Sequence, residues 1–119
     1  MTQSPDPDCI FCKIVGGQIP ANIVLDNDQV TAFRDLNPQM PTHVLVVPKR
    51  HIANTEALEP EHDVIVGAVV RAARQIADLE GLGKRGYRLV INTGPDANNT
   101  VAHLHLHLLG GRPMTWPPG

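Results

Sequence analysis

No run of Lys or Arg breaks this chain of 119 residues. Ten basic side chains stand against twelve acidic ones, for a formal charge of −2. A broad electrostatic footprint for nucleic acid is therefore missing, although a nucleotide needs only a local anion site. No window approaches 18 apolar residues, and the opening MTQSPDPD lacks a positively charged start followed by an apolar stretch. Neither a membrane span nor a secretory leader is expected, and the protein reads as soluble and cytoplasmic. There are only two cysteines, Cys9 and Cys12. In a reducing compartment such a pair points to a metal or to redox use rather than to a structural disulfide, and the Asn98-Asn99-Thr100 sequon is expected to stay unmodified. Repeats and low-complexity blocks are also missing. The length suits one domain over residues 1–119, with a loose segment 1–8 and a tail 112–119 that carries the only Trp.

The apolar patterning predicts short strands at 23–25 and 30–34, joined by a tight turn at Asp26, Asn27 and Asp28. A third strand over 43–48 ends at Pro48. A helix over 60–79 follows, with Val66, Val69, Ala73 and Ile76 as its apolar stripe and Gly81 as its stop. Strands at 87–92 and 102–109 complete an α+β meander with the helix covering one sheet face.

What is present in excess is histidine at one place: His103, His105 and His107 alternate with Leu104, Leu106 and Leu108. In a strand the three leucines enter the core and the three imidazoles share the other face, roughly 6.6 Å apart, a spacing that suits a phosphoryl group and its neighbours. A histidine attacks phosphorus through one ring nitrogen only while the other carries the proton, and His105, in the middle, is best placed to do so. His107 can donate to a phosphate oxygen. Thr100, Val101 and Asn99, just upstream, offer hydroxyl and backbone donors to developing negative charge. Asn92 stands at the same end of the sheet, as a further donor or as an ordinary turn residue.

The Cys9-x-x-Cys12 pair is ambiguous between zinc and redox chemistry. His51 and His103 would complete a Cys2His2 tetrahedron if the four converge, whereas neither a helix start nor a pair of basic neighbours favours a reactive thiol. His43 either reaches the pocket or solvates a strand end. Asp35 either accepts ribose hydroxyls or caps a turn. Ile10, Phe11 and Ile14 have helical spacing and form either a pocket wall or core. His62 reads as solvated, and Gly110-Gly111 as a backbone bend.

Taken together, HLHLHLL at 103–109, IFCKIVGGQIPANIV, AFRDLNPQMPTHVLVVPKRHI and the ending WPPG resemble the histidine triad superfamily, in its nucleotide-binding branch. The resemblance implies a five-stranded antiparallel sheet with one main helix and a homodimer joining two sheets into a continuous ten-stranded surface. It implies a pocket for purine nucleotides such as AMP derivatives. The implied reaction is hydrolysis of purine nucleoside phosphoramidates or acyl adenylates, with His105 as the nucleophile. His107 and Thr100 would hold the phosphate and assist the leaving amine, with His43 behind them. Asn92 and the Val101 backbone would line the site. Asp35 would bind ribose, with Ile10, Phe11, Ile14, Phe33 and Leu36 near base and sugar. Relatives with paired cysteines imply structural zinc on Cys9, Cys12, His51 and His103. A regulatory nucleotide-binding module and a dinucleoside polyphosphate hydrolase are the alternative functions. Two positions depart from the family pattern. PDANNT replaces a glycine-rich loop, so Asn98 is expected to reshape the phosphate cradle, and Arg34, where histidine is common, either reaches an anionic substrate or stays solvated.

Overall fold

The computed structural model describes residues 6–119, so most of the segment expected to be loose, residues 1–5, lies outside the described residues. The elements run α1 (Ile10–Val15), β1 (Ile23–Asp26), β2 (Val30–Arg34), β3 (Thr42–Pro48), α2 (Asp63–Leu79), β4 (Tyr87–Ile91) and β5 (Leu106–Gly110), with three single 3-10 turns between them. The five strands form one sheet in the order β1-β2-β3-β5-β4, every neighbouring pair antiparallel. The expected α+β class with a single main helix holds. The expected meander does not, because β5 returns between β3 and β4 and leaves β4 at the edge.

Local chemistry explains the punctuation. At the β1–β2 turn the Asn27 carboxamide accepts from the backbone N–H groups of Gln29 and Val30, both at 2.9 Å, an Asx turn that fixes the hairpin register. Helix α2 stops where the sequence predicts. Gly81 takes φ +74°, its N–H donates to Asp78 O at 3.1 Å, and Leu82 N–H reaches back to Ala77 O at 2.8 Å, the pair of bonds that defines a Schellman end. Leu82 then packs against the core, and its methyl lies only 2.7 Å from where a Cβ on Gly110 would sit. Gly110 is therefore explained by packing.

At the start of α2 the sequence reading fails for His62. It is buried, because its Nδ1 accepts the Glu59 N–H at 2.9 Å and folds the ring over the preceding turn. The apolar stripe is wider than expected but built from smaller side chains: Ala72 and Ala77 join Val69, Ala73 and Ile76 among the buried residues, while Val66 is only half-buried. The alanines let the helix lie close on Val30, Ala32, Val44, Val46, Leu106 and Leu108. On the opposite sheet face Phe33, Leu45 and Val47 pack against Cys9, Phe11 and Cys12 of the α1 region. β3 is thus buried on both sides, which is why its sequence is a continuous apolar run.

The ladder of β5 begins at Leu106, four residues later than expected. Pro48 ends β3 and has no N–H to offer, so the preceding residues find other partners: Leu104 N–H donates to Ile52 O at 2.6 Å, and His103 Nε2–H to Pro48 O at 2.9 Å.

Candidate functional site

The sheet face under α1 carries an open cavity of about 280 Å³. Its walls include Ile10, Phe11, Ile14, Phe33, Asp35, Leu36, Thr100, Val101, His105 and His107, ten of the residues singled out from sequence. Leu36 stands at the rim, 97% exposed. Asn92 follows β4 and does not line this cavity. The sequence reading missed Ile19, Pro20, Ala21 and Leu45 as lining residues. Leu45 was recoverable, since period two along β3 puts it on the face of its cross-strand partner His107. A wider groove between the β1–β2 turn and α2, about 690 Å³, contains neither histidine nor cysteine.

The three alternating histidines do not form one row in the pocket. His105 and His107 do, with ring centroids 5.0 Å apart, whereas His103 is fully buried beside His51 and does not line the cavity. The split follows from the late start of β5, because His103 lies before the strand and is held by Pro48 O rather than by the ladder.

Hydrogen bonds fix the tautomers of the open pair. His105 Nδ1–H donates to His103 O at 2.8 Å, which leaves Nε2 with a lone pair. His43 Nδ1 accepts the Gln39 N–H at 3.0 Å, so its proton is on Nε2, which donates to His107 Nδ1 at 2.9 Å. His107 therefore carries its proton on Nε2, a buried atom without a partner among the described residues. His43 Nε2 also lies 3.4 Å from Asp35 Oδ2. Asp35 Oδ1 accepts from Asn37 N–H at 2.8 Å, so this carboxylate caps a turn and faces the cavity at once. Burial, with the neighbouring His105 and His43, pushes His107 down to about 4, and burial also lowers His43. At neutral pH His43 and His107 are uncharged. The Nε2 of His105 and the Nε2–H of His107 stand side by side.

Phe11 sets its ring edge-on to His105, with centroids 5.1 Å apart. Arg34 is partly exposed and is already paired. Its guanidinium forms a two-point pair with Glu80 at the end of α2, at 2.9 and 3.2 Å, although it contributes to the cavity wall. Asn98 takes the left-handed conformation, φ 58°, that a glycine would supply in the loop, and it does not line the cavity.

Cys9, Cys12, His51 and His103 converge. Their donor atoms all lie within 4.8 Å of one another, with Sγ–Nδ1 distances of 3.2–3.5 Å for Cys9–His103, Cys12–His51 and Cys12–His103 and the two Nδ1 atoms 3.2 Å apart. A zinc tetrahedron with sulfur and nitrogen ligands has edges of roughly 3.3–3.8 Å, so the four fit that ion. His103 Nε2–H is committed to Pro48 O, which leaves Nδ1 as a ligand, and burial pushes His103 down to about 4, keeping it neutral as ligation requires. Contrary to expectation a helix does start here: Cys9 caps α1, its Sγ accepting Cys12 N–H at 3.3 Å. Burial pushes the Cys12 thiol up, away from the activated thiolate that redox chemistry needs.

Comparison with known proteins follows this geometry. The HIT domain pattern matches residues 16–114. The chain is 44% identical to a purine nucleoside phosphoramidase of Escherichia coli K12 over 90% of each chain, and 46% identical to a 14 kDa zinc-binding protein of Zea mays over 96% of this chain and 90% of the relative. A solved HIT family hydrolase from Legionella pneumophila superposes with a TM-score of 0.93 at 46% identity, over 94% of this chain and 100% of the other. The fold, the site geometry and these likenesses agree: the chain belongs to the HIT domain family.

Proposed function

We propose that this protein is a nucleotidyl hydrolase that cleaves purine nucleoside phosphoramidates or acyl adenylates and releases a nucleoside monophosphate. The observation that carries the reading is the hydrogen bond from His105 Nδ1–H to His103 O, which leaves Nε2 of a cavity-lining histidine as a free nucleophile. Nε2 attacks phosphorus, a nitrogen–phosphorus bond forms to His105, and the bond to the leaving group breaks, an amine taking up a proton as it departs and an acyl group departing as carboxylate. His107 Nε2–H and the Thr100 hydroxyl supply the donors for the phosphoryl oxygens and leaving group, and the Gln39–His43 contact holds His107 in its donating tautomer. Water then cleaves the histidine–phosphorus bond and frees His105. Ile10, Phe11, Ile14, Phe33 and Leu36 take the base and sugar, Asp35 the ribose hydroxyls, and Val101 the phosphate end. The similarity to a phosphoramidase supports this choice of substrate.

Zinc on Cys9, Cys12, His51 and His103 would be structural, because four protein ligands fill a tetrahedral ion and leave no open position. One HIT domain over 1–119 fits the chain. A dimer through β4 is supported by its place at the sheet edge and by the exposure of Leu89 and Ile91. No described helix is long and apolar enough to cross a membrane, and two free cysteines accord with a cytoplasmic setting.

Turnover of adenosine 5′-phosphoramidate, compared with a diadenosine polyphosphate, tests the reading. Fast release of AMP from the first is expected. Preference for the second would make the protein a dinucleoside polyphosphate hydrolase, and slow turnover of both beside tight AMP binding would make it a binding module.

A further inference from the structure

The cavity and the four-donor cluster share two pieces of backbone. The first is His103. Its Nδ1 lies among the cluster donors and its Nε2 is tied to Pro48 O, while its carbonyl accepts the hydrogen bond from His105 Nδ1–H. Any shift of the His103 backbone therefore moves the group that sets which nitrogen of His105 is free. The second is α1. The residues that face the cavity, Ile10, Phe11 and Ile14, sit on the six-residue helix that Cys9 caps and Cys12 occupies. A helix of that length does not hold itself, and its tertiary contacts must do so. Phe11 touches both sides of the arrangement, with its ring 5.1 Å from His105 and 6.0 Å from His103.

We propose that occupancy of Cys9, Cys12, His51 and His103 by a thiophilic divalent cation sets the affinity of the cavity for a nucleotide, with His103 and α1 as the positioning elements. The proposal rests on the nucleotide reading of the cavity. Drawing the four donors onto one ion pins α1 against the sheet and locks His103, so the base wall and the His105 tautomer are organised before a nucleotide arrives. Coupling between two sites is reciprocal: a cation that tightens nucleotide binding is itself bound more tightly, by the same factor, when the nucleotide is present.

AMP is the probe, because no turnover complicates its binding. Calorimetry on zinc-loaded and metal-stripped protein should show AMP binding weakened about tenfold on stripping, and chelator competition should show zinc held about tenfold more tightly at saturating AMP. Equal AMP affinities in a stripped protein that keeps its native circular dichroism would overturn the coupling alone. Where stripping unfolds the chain, cobalt(II) replaces zinc, and saturating AMP should alter its visible ligand-field bands. An unchanged cobalt spectrum with AMP bound overturns the proposal. Failure of the loaded protein to bind AMP at all overturns the nucleotide reading, and the coupling with it.

Discussion

Two clusters of histidine, one around His103 and one around His107, are joined through Phe11 and differ in one respect. Around His103 every donor atom faces another donor: two thiols and two Nδ1 atoms converge, and the remaining His103 nitrogen is used by Pro48 O. Around His107 the chain of bonds from Gln39 through His43 ends on an Nε2–H that no described residue receives, beside the spare lone pair of His105. A closed set of four donors suits a structural ion, whereas an open set leaves atoms for a substrate. The same residue type thus takes opposite roles within five positions, according to whether its last lone pair or proton is spoken for.

The largest expected effect breaks the open cluster. His105→Ala should lower phosphoramidate turnover by about 10³-fold or more, while AMP affinity changes by no more than about threefold, because covalent chemistry depends on one atom and ground-state binding on many. Single-turnover assays and calorimetry separate the two. Breaking the closed cluster acts differently. Cys12→Ala should reduce zinc content and lower the melting temperature by roughly 10 °C or more, as loss of a structural metal ligand does. Elemental analysis and thermal melts read this. His43→Ala sharpens the contrast, since it frees the His107 tautomer without touching the cluster: kcat should fall about 10–100-fold with zinc content unchanged.

A pH effect of smaller size follows from burial of His107. An unfolded histidine binds its proton near pH 6.5, but this one resists it down to about 4. Between those values the unfolded chain holds more protons, so stability is full above pH 6.5 and is lost as pH falls toward 4. Denaturant midpoints of the wild type should decline over that window, and His107→Gln should flatten the decline. The smallest effect concerns the tail. Arg88 donates to Thr115 O at 3.0 Å and lies 5.9 Å from the centre of the Trp116 ring, which remains 81% exposed. Deletion from Met114 onward should shift the ratio of rates for two leaving groups more than it changes adduct formation. Unchanged ratios in an intact assembly would give the tail no part in selectivity.

Strands and the main helix were legible because their information is local: short apolar runs bounded by turn residues in β2 and β3, and Gly81 after a 3.6-residue stripe in α2. Eleven of the twelve residues expected around the base, sugar and phosphate line the cavity or, like His43, bond to a residue that does. Asn92 is the exception. What escaped the sequence depends on partners far along the chain. Arg34 meets Glu80 across 46 residues, and no periodicity announces that pair. Helix α1 is short and is capped by a thiol, so it lacks the usual Ser, Thr, Asp or Asn at its start. His103 leaves the row because Pro48, on another strand, ends the ladder. The insertion of β5 between β3 and β4 is likewise a property of the crossover and not of any one segment.

The central claim is that the spare lone pair on His105 becomes bonded to phosphorus. Acid-free rapid quenching of wild-type protein with an adenosine phosphoramidate, followed by peptide mapping in a mass spectrometer, tests it directly. The account predicts an adenylyl group on His105 that forms and decays at rates able to support turnover. An adduct mapped to His107 or His43, or turnover at full rate with no adduct on any histidine under conditions that preserve a chemically prepared phosphohistidine, would contradict it.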